Sequence, residues 1–223
     1  MLTPRIDFKN FQTKVKININ LKKKLNSLIK ENNDILKSLG KKYKNNFDKK
    51  KLAKYKKFSN FRVIGMGGSI LGTQAIYDFL KDRVNKKFSF VNNLQPQNKK
   101  KKEKKFTNLI VSKSGETIET IVNSNILIKK KDNNIFITEN KSSYLYLLAK
   151  KLKAEVIHHN NFIGGRYSVL SEVGMVPAEL MGLQSNHFKQ LNNLIKKKNF
   201  LNSLILNVSS ILYFIKKKNL IQY

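Results

Sequence analysis

Three short segments of this chain combine glycines, hydroxyls and scarce arginine in spacings that could hold an anion. The first, Val63-Ile64-Gly65-Met66-Gly67-Gly68-Ser69-Ile70-Leu71-Gly72, reads as a strand running into glycines and then a helix. In such a turn the backbone can approach a ligand closely, and the unpaired amides of the helix start attract negative charge. The second, Ile110-Val111-Ser112-Lys113-Ser114-Gly115-Glu116-Thr117-Ile118-Glu119-Thr120, ends a β-branched strand in hydroxyls. Ser112, Ser114 and Thr117 there offer O–H groups, Lys113 a cation, and the following helix its amides, which is the chemistry of a small phosphate cradle. The third, Ile163-Gly164-Gly165-Arg166-Tyr167-Ser168-Val169-Leu170-Ser171, exposes one arginine after a glycine pair. A forked guanidinium in that place suits an oxyanion.

Each segment also has a reading without a ligand: a tight strand-to-helix turn, a Ser/Thr helix cap with Glu119 in the first turn, and a solvated arginine in a loop. Two nucleotide motifs fail. The dinucleotide fingerprint needs glycine where Ile70 stands and an acidic residue near Asn92-Asn93, and the Walker pattern fits from Gly67 to Gly72 but breaks at Thr73-Gln74.

The elements that must position these segments follow from periodicity. Short β-branched runs at Phe61–Ile64, Phe88–Val91, Leu109–Val111, Ile135–Ile137 and Val156–Ile157 alternate with helical stretches at about 70–82, 117–131 and 143–153. That alternation predicts an α/β fold, a doubly wound parallel sheet in a three-layer αβα sandwich. Residues 1–57 form a Lys- and Asn-rich preface with apolar positions at helical spacing (Leu21, Leu25, Leu28, Ile29), residues 58–185 form the sheet domain, and residues 186–223 return to helix. The charged stretch from Asn98 to Lys105 reads as a surface loop between strands. Leu220 to Tyr223 reads like the opening of a further strand, which implies a longer protein.

Composition narrows the partners. The 223 residues carry 45 Lys and Arg against 14 Asp and Glu, a formal charge of +31. A polyanion is the obvious partner for such a charge. The lysines, however, recur in short runs along the whole length, arginine occurs only at positions 5, 62, 83 and 166, and Asn and Ile are abundant too. A/T-rich codons produce that mixture without selection for nucleic acid, and no aromatics interleave the charges as a stacking surface requires. With no cysteine, the chain has no disulfide framework, thiolate zinc site or Cys nucleophile. The three histidines lack a carboxylate cluster at ligand spacing, so no metal and no cofactor are expected. Met1 to Asp7 lacks the apolar stretch of a signal peptide, and Phe200 to Ile215, interrupted by Asn202, Ser203, Asn207, Ser209 and Ser210, reads as a buried helix and not a membrane span.

In this order and spacing the three segments resemble the phosphoglucose isomerase family. Its G-x-G-G-S-x-L-G turn is matched by Gly65 to Gly72, its S-K-[ST]-x-x-T-x-E-T loop by Ser112 to Thr120, and its G-G-R-[FY]-S-V-x-S signature by Gly164 to Ser171. The resemblance runs from about Phe58 to Leu183. It implies a sugar isomerase (SIS) domain and a cytoplasmic glycolytic and gluconeogenic enzyme that interconverts glucose 6-phosphate and fructose 6-phosphate through a cis-enediolate. By motif, Ser112, Lys113, Ser114 and Thr117 would bind the sugar phosphate, Gly68, Ser69 and Gly165 would line the sugar site, and Arg166 would stabilise the enediolate.

The resemblance also marks what is missing. In the family, the Glu that moves the proton, a His that assists ring opening and a late Lys all follow the third signature, and this chain matches none of them; His158, His159 and His187 fit no family position. The expectation is therefore an amino-terminal portion of the enzyme, inactive by itself and dimeric only at full length. A stand-alone single-SIS module that binds sugar phosphates without isomerising them is the alternative. No membrane partner is expected.

Overall fold

The structure is a computed structural model, and it describes residues 18–31, 33–94 and 105–217. In chain order the helices are α1 (Ile19–Lys30), α2 (Asp34–Ser38), α3 (Lys49–Ala53), α4 (Leu71–Phe79), α5 (Ile118–Leu127), α6 (Tyr144–Leu152), α7 (Glu172–Leu180), α8 (Leu191–Leu194) and α9 (Lys198–Lys217). The strands are β1 (Asn60–Gly65), β2 (Lys87–Val91), β3 (Thr107–Val111), β4 (Asn133–Thr138) and β5 (Glu155–His158). They fall into two compact units, residues 43–188 and residues 1–42 with 189–223.

The first unit is built on a five-stranded, wholly parallel sheet in the order β2-β1-β3-β4-β5. Period-two alternation sends side chains to both faces. Phe61, Val63, Leu109, Val111, Ile135 and Ile137 pack into one core with Ile76 of α4 and Val173, Met175, Val176 and Ala178 of α7. Ile64, Ile110 and Phe136 pack into the other with Leu145 and Ala149 of α6 and Ile121 of α5. Helices therefore cover both faces, the three-layer αβα arrangement that the alternation of strand and helix implied. The lysine-rich stretch around α3, read with the preface, contributes Leu52 and Tyr55 to the first core.

Two residues of α7 explain how closely α4 and the preceding bend approach it. Pro177 has no N–H to give the carbonyl one turn before it. That carbonyl, of Val173, instead accepts from the buried Thr73 hydroxyl of α4 at 3.1 Å. Gly174 lies so close to the preceding bend that a Cβ there would sit 2.0 Å from the Val169 carbonyl oxygen.

In the second unit, Asn18 caps α1 by accepting from the amides of Asn20 and Leu21 at 2.9 and 3.3 Å. Its own amide lies 3.4 Å from the Ser209 hydroxyl of α9. Helix α9 differs from the expected buried helix. It buries only a narrow stripe (Ile205, Ser209 and Ser210) and exposes Ile211, Tyr213 and Phe214. The polar residues that argued against a membrane span lie partly on the buried stripe, which leaves the large apolar residues outside. Among the described residues no helix is long and apolar enough to cross a membrane. The loop expected from 98 to 105 lies almost wholly, and the strand opening expected at 220–223 wholly, outside the described residues.

Candidate anion-binding site

Strand order decides where a ligand can lodge. The chain leaves β1 towards β2 on one side and returns to β3 on the other, so the carboxyl ends of β1 and β3 flank the point where the winding reverses. In the β1–β3 register Gly65 lies opposite Val111. The first two sequence segments start from these paired residues and lie side by side at one edge of the sheet.

The loop after β3 is organised by its own hydroxyls. Ser112, 1% exposed, accepts the Gly115 amide at 3.1 Å, and its Oγ lies 3.0 Å from the Thr117 hydroxyl. Ser114 accepts the Glu116 amide at 3.2 Å. Gly115 has φ +71°, a conformation that side chains rarely adopt, and a Cβ there would lie 2.1 Å from the Ser143 hydroxyl oxygen. Thr117 occupies the N-cap of α5 without capping it through its side chain. The cap reading is therefore only half right, because the hydroxyl is turned to Ser112. The first intrahelical bond is made by the Ile121 amide to Thr117 O, so the amides of residues 118–120 are left for another acceptor.

Lys113 does not project freely. Its ammonium donates to the carbonyl of Asn161 and lies 3.7 Å from Glu139 Oε1, while Lys141 holds the other Glu139 oxygen at 3.1 Å. The loop is pinned from below by the Glu139 amide to Lys113 O, at 3.1 Å, and by the Leu145 amide to Gly115 O, also at 3.1 Å.

The glycines of the first segment form a single 3₁₀ turn, Gly67–Ser69, with Gly67 at φ +53°. Gly68 meets the third segment: a Cβ on it would lie 2.3 Å from the Gly165 carbonyl oxygen. The third segment is itself a 3₁₀ stretch, Gly165–Leu170. Its buried Ser168 hydroxyl lies 2.8 Å from Gly165 O and 3.0 Å from Gly68 O and so joins the two bends. Ser171 closes the stretch by donating to Ser168 O at 2.6 Å and by capping α7. Arg166 is exposed, next to this junction.

Of the residues singled out in the sequence, Gly68 and Gly165 are thus in contact, as the tight bends require, and Ser112, Ser114 and Thr117 share one loop. Lys113 is linked to the third segment through Asn161, two residues before Ile163. Sequence reasoning missed the buried pair His159 and Glu172, 1% and 0% exposed, which adjoins that segment. The only signal for it was a glutamate at the head of an apolar helical run, since His159 sits among the polar residues His158, Asn160 and Asn161. Two carboxylates that follow Arg166 are already engaged. Glu172 accepts the Asn46 amide at 2.8 Å. Glu179 pairs with Lys49 and Lys56 and takes both the amide and the hydroxyl of Ser185.

Comparison with known proteins adds an independent line. The family model for phosphoglucose isomerase matches residues 13–203. The glucose-6-phosphate isomerase of Methanocaldococcus jannaschii is 35% identical over 147 residues, 59% of this chain and 36% of that protein. The enzyme of the same name from Mycoplasma genitalium is 32% identical over 148 residues, 57% of this chain and 34% of that protein. Among solved structures, a glucose-6-phosphate isomerase from Chlamydia trachomatis aligns with a TM-score of 0.56 at 25% identity, over 71% of this chain and 35% of that one. A hypothetical protein from Thermus thermophilus shares the fold with a TM-score of 0.62 at 20% identity, over 88% of this chain and 52% of that one. The chain thus spans about a third of the length of the curated relatives it matches.

Proposed function

The chain belongs to the phosphoglucose isomerase family, and from that membership we propose that its sheet unit binds the phosphate of a hexose 6-phosphate for interconversion of glucose 6-phosphate and fructose 6-phosphate. The observation that carries the reading is the hydroxyl-built loop from Ser112 to Thr117, set at the amino end of α5 beside the glycine bend at the winding reversal. Ser114, Thr117 and the amides of residues 118–120 receive the phosphate oxygens, and the positive end of α5 favours the dianion. Ser112 holds the loop in the receiving shape, and Lys113 adds charge at its rim. Gly68, Ser69 and Gly165 line the sugar, the glycines because a side chain at Gly68 would push the Gly165 backbone out of place. Arg166 donates its fork to the oxygen that becomes negative in the cis-enediolate.

Isomerisation also needs a base to carry a proton between C1 and C2, and groups to open the ring. Glu172 and Glu179 are buried and committed to partners, which supports the reading that these 223 residues supply binding and oxyanion stabilisation while the proton carrier belongs elsewhere in the enzyme. The full-length protein works in the cytoplasm, in glycolysis and gluconeogenesis, as a homodimer. Titration of the 223-residue chain with fructose 6-phosphate, followed by a coupled assay on the same sample, tests this. Binding without turnover is the expected result, and turnover at enzyme-like rates refutes the division of labour.

A further inference from the structure

The segment from His159 to Ile163 touches both halves of the anion site, and its shape depends on a buried ionisable pair that the chemistry above does not use. The His159 amide donates to Thr138 O at 2.8 Å, which extends the edge of β4. One ring nitrogen, Nε2, lies 3.2 Å from Ile163 O, and the other, Nδ1, lies 3.4 Å from Glu172 Oε2. A carbonyl oxygen can only accept, so Nε2 carries a proton. Burial pushes the Glu172 carboxyl up, but bonds from His159, from the Asn46 amide and from its own amide outweigh that and hold it below the usual carboxylate range. The imidazole ring thus bridges the Ile163 carbonyl and the Glu172 carboxylate.

Among the described residues, the neighbouring polar groups have partners of their own. Asn160 donates its side-chain N–H to the Tyr43 hydroxyl and accepts from the Asn46 side chain at 3.0 Å, and burial first, then the Glu172 charge, raises the Tyr43 hydroxyl. Asp48 caps α3, Glu155 of β5 pairs with Lys54, and Glu179 of α7 faces Lys49 and Lys56. The Lys113 ammonium lies at Asn161 O, on the far side of the same segment.

We propose that His159 and Glu172 are positioning residues: a buried imidazole and carboxylate that rivet residues 159–163, and through them place Lys113 on one side and the Gly165–Arg166 bend on the other. The consequence for ligand binding rests on the function proposed above, whereas the rivet itself does not. When the carboxylate is lost, a ring nitrogen and the Asn46 amide lose their shared acceptor, and the bend is released.

The test is amide exchange, read by NMR on the labelled 223-residue chain and its E172Q and H159F variants. Both variants should speed exchange at the Ile163 and Tyr167 amides, which donate to Asn160 O and Gly164 O, about tenfold or more, while β3 amides keep their protection. Unchanged exchange at those two amides in a folded variant overturns the proposal. Should E172Q fail to fold, H159F, which keeps the ring volume and removes both nitrogens, decides. Fructose 6-phosphate titrated into the wild-type and E172Q chains separates the two readings: no binding by wild type refutes the function and leaves the rivet standing, and equal affinity of the two refutes the rivet's role in the site.

Discussion

The loop from Ser112 to Thr117 and the bend from Gly164 to Ser171 adjoin the same edge of the sheet but are held in opposite ways. The loop closes on itself: within six residues, two serines accept amides of the loop and the Ser112 and Thr117 hydroxyls meet. The bend is held mainly from outside, by the Gly68 carbonyl about a hundred positions earlier in the chain, by the packing of Gly174 on Val169, and by His159 and Glu172. A locally closed loop tolerates loss of one contact with a local cost, whereas a bend assembled from distant parts loses its shape when any one of them is filled or removed.

The largest expected effect follows from that difference. In Gly174→Ala the new Cβ would meet a backbone oxygen at 2.0 Å, and in Gly68→Ala one at 2.3 Å, and neither oxygen can swing aside as a side-chain tip would. Each should cost about 3 kcal/mol or more in urea unfolding, at the upper end of overpacking penalties. A loss under about 1 kcal/mol would show that the bend is more pliant than its packing implies.

Next is Ser112→Ala, which leaves the buried Gly115 amide without its acceptor. The expected loss is about 1–3 kcal/mol in the same measurement. By contrast Ser114→Ala and Thr117→Ala should each cost no more than about 1 kcal/mol of stability and weaken fructose 6-phosphate binding about tenfold or more, the worth of one hydrogen bond to a charged group. Equal affinity of these variants and the parent chain would remove both residues from the site.

Acid should separate the regions as well. Glu172 and Glu179 both sit below the ordinary carboxyl value of 4.5, in each case because hydrogen bonds and, for Glu179, Lys49 outweigh the upward push of burial. A carboxyl depressed in the folded state contributes stability that is complete above its unfolded value and disappears as pH falls through the folded one. Stability should therefore decline below about pH 4.5, and amide exchange at the bend should rise there before exchange in the Ser112 loop does. Glu179→Gln should flatten that acid limb; an unchanged slope would contradict the assignment.

The smallest effect is expected for Arg166→Lys. The side chain is exposed, so unfolding should shift by no more than about 0.5 kcal/mol. If the proposed isomerisation is assayed, the change should act mainly on kcat, because a point charge cannot reproduce the fork.

The same contrast explains what could be read from the residues alone. All five strands and the helices between them follow from β-branched runs and helical spacing, because each is specified by neighbours in sequence. The loop was legible for the same reason: Ser112, Ser114 and Thr117 announce a hydroxyl cluster before any fold is known. Contact between Gly68 and Gly165 was not legible, because it depends on strand order, which places the ends of β1 and β3 together only once the sheet is wound. The commitment of Lys113 to Asn161 and the burial of His159 against Glu172 were hidden likewise, since each joins segments whose spacing carries no periodic signal. Helix α9 was misjudged as buried because composition fixes how apolar a helix is, not which face meets the protein.

The central claim is that the loop between Ser112 and Thr117 receives a sugar phosphate, and backbone NMR of the 223-residue chain titrated with fructose 6-phosphate tests it most directly. Saturable shifts concentrated in the amides of residues 113–120, with smaller ones at Gly68 and Gly165, are the expected result. Shifts confined to another part of the surface, or none at millimolar ligand, would contradict it.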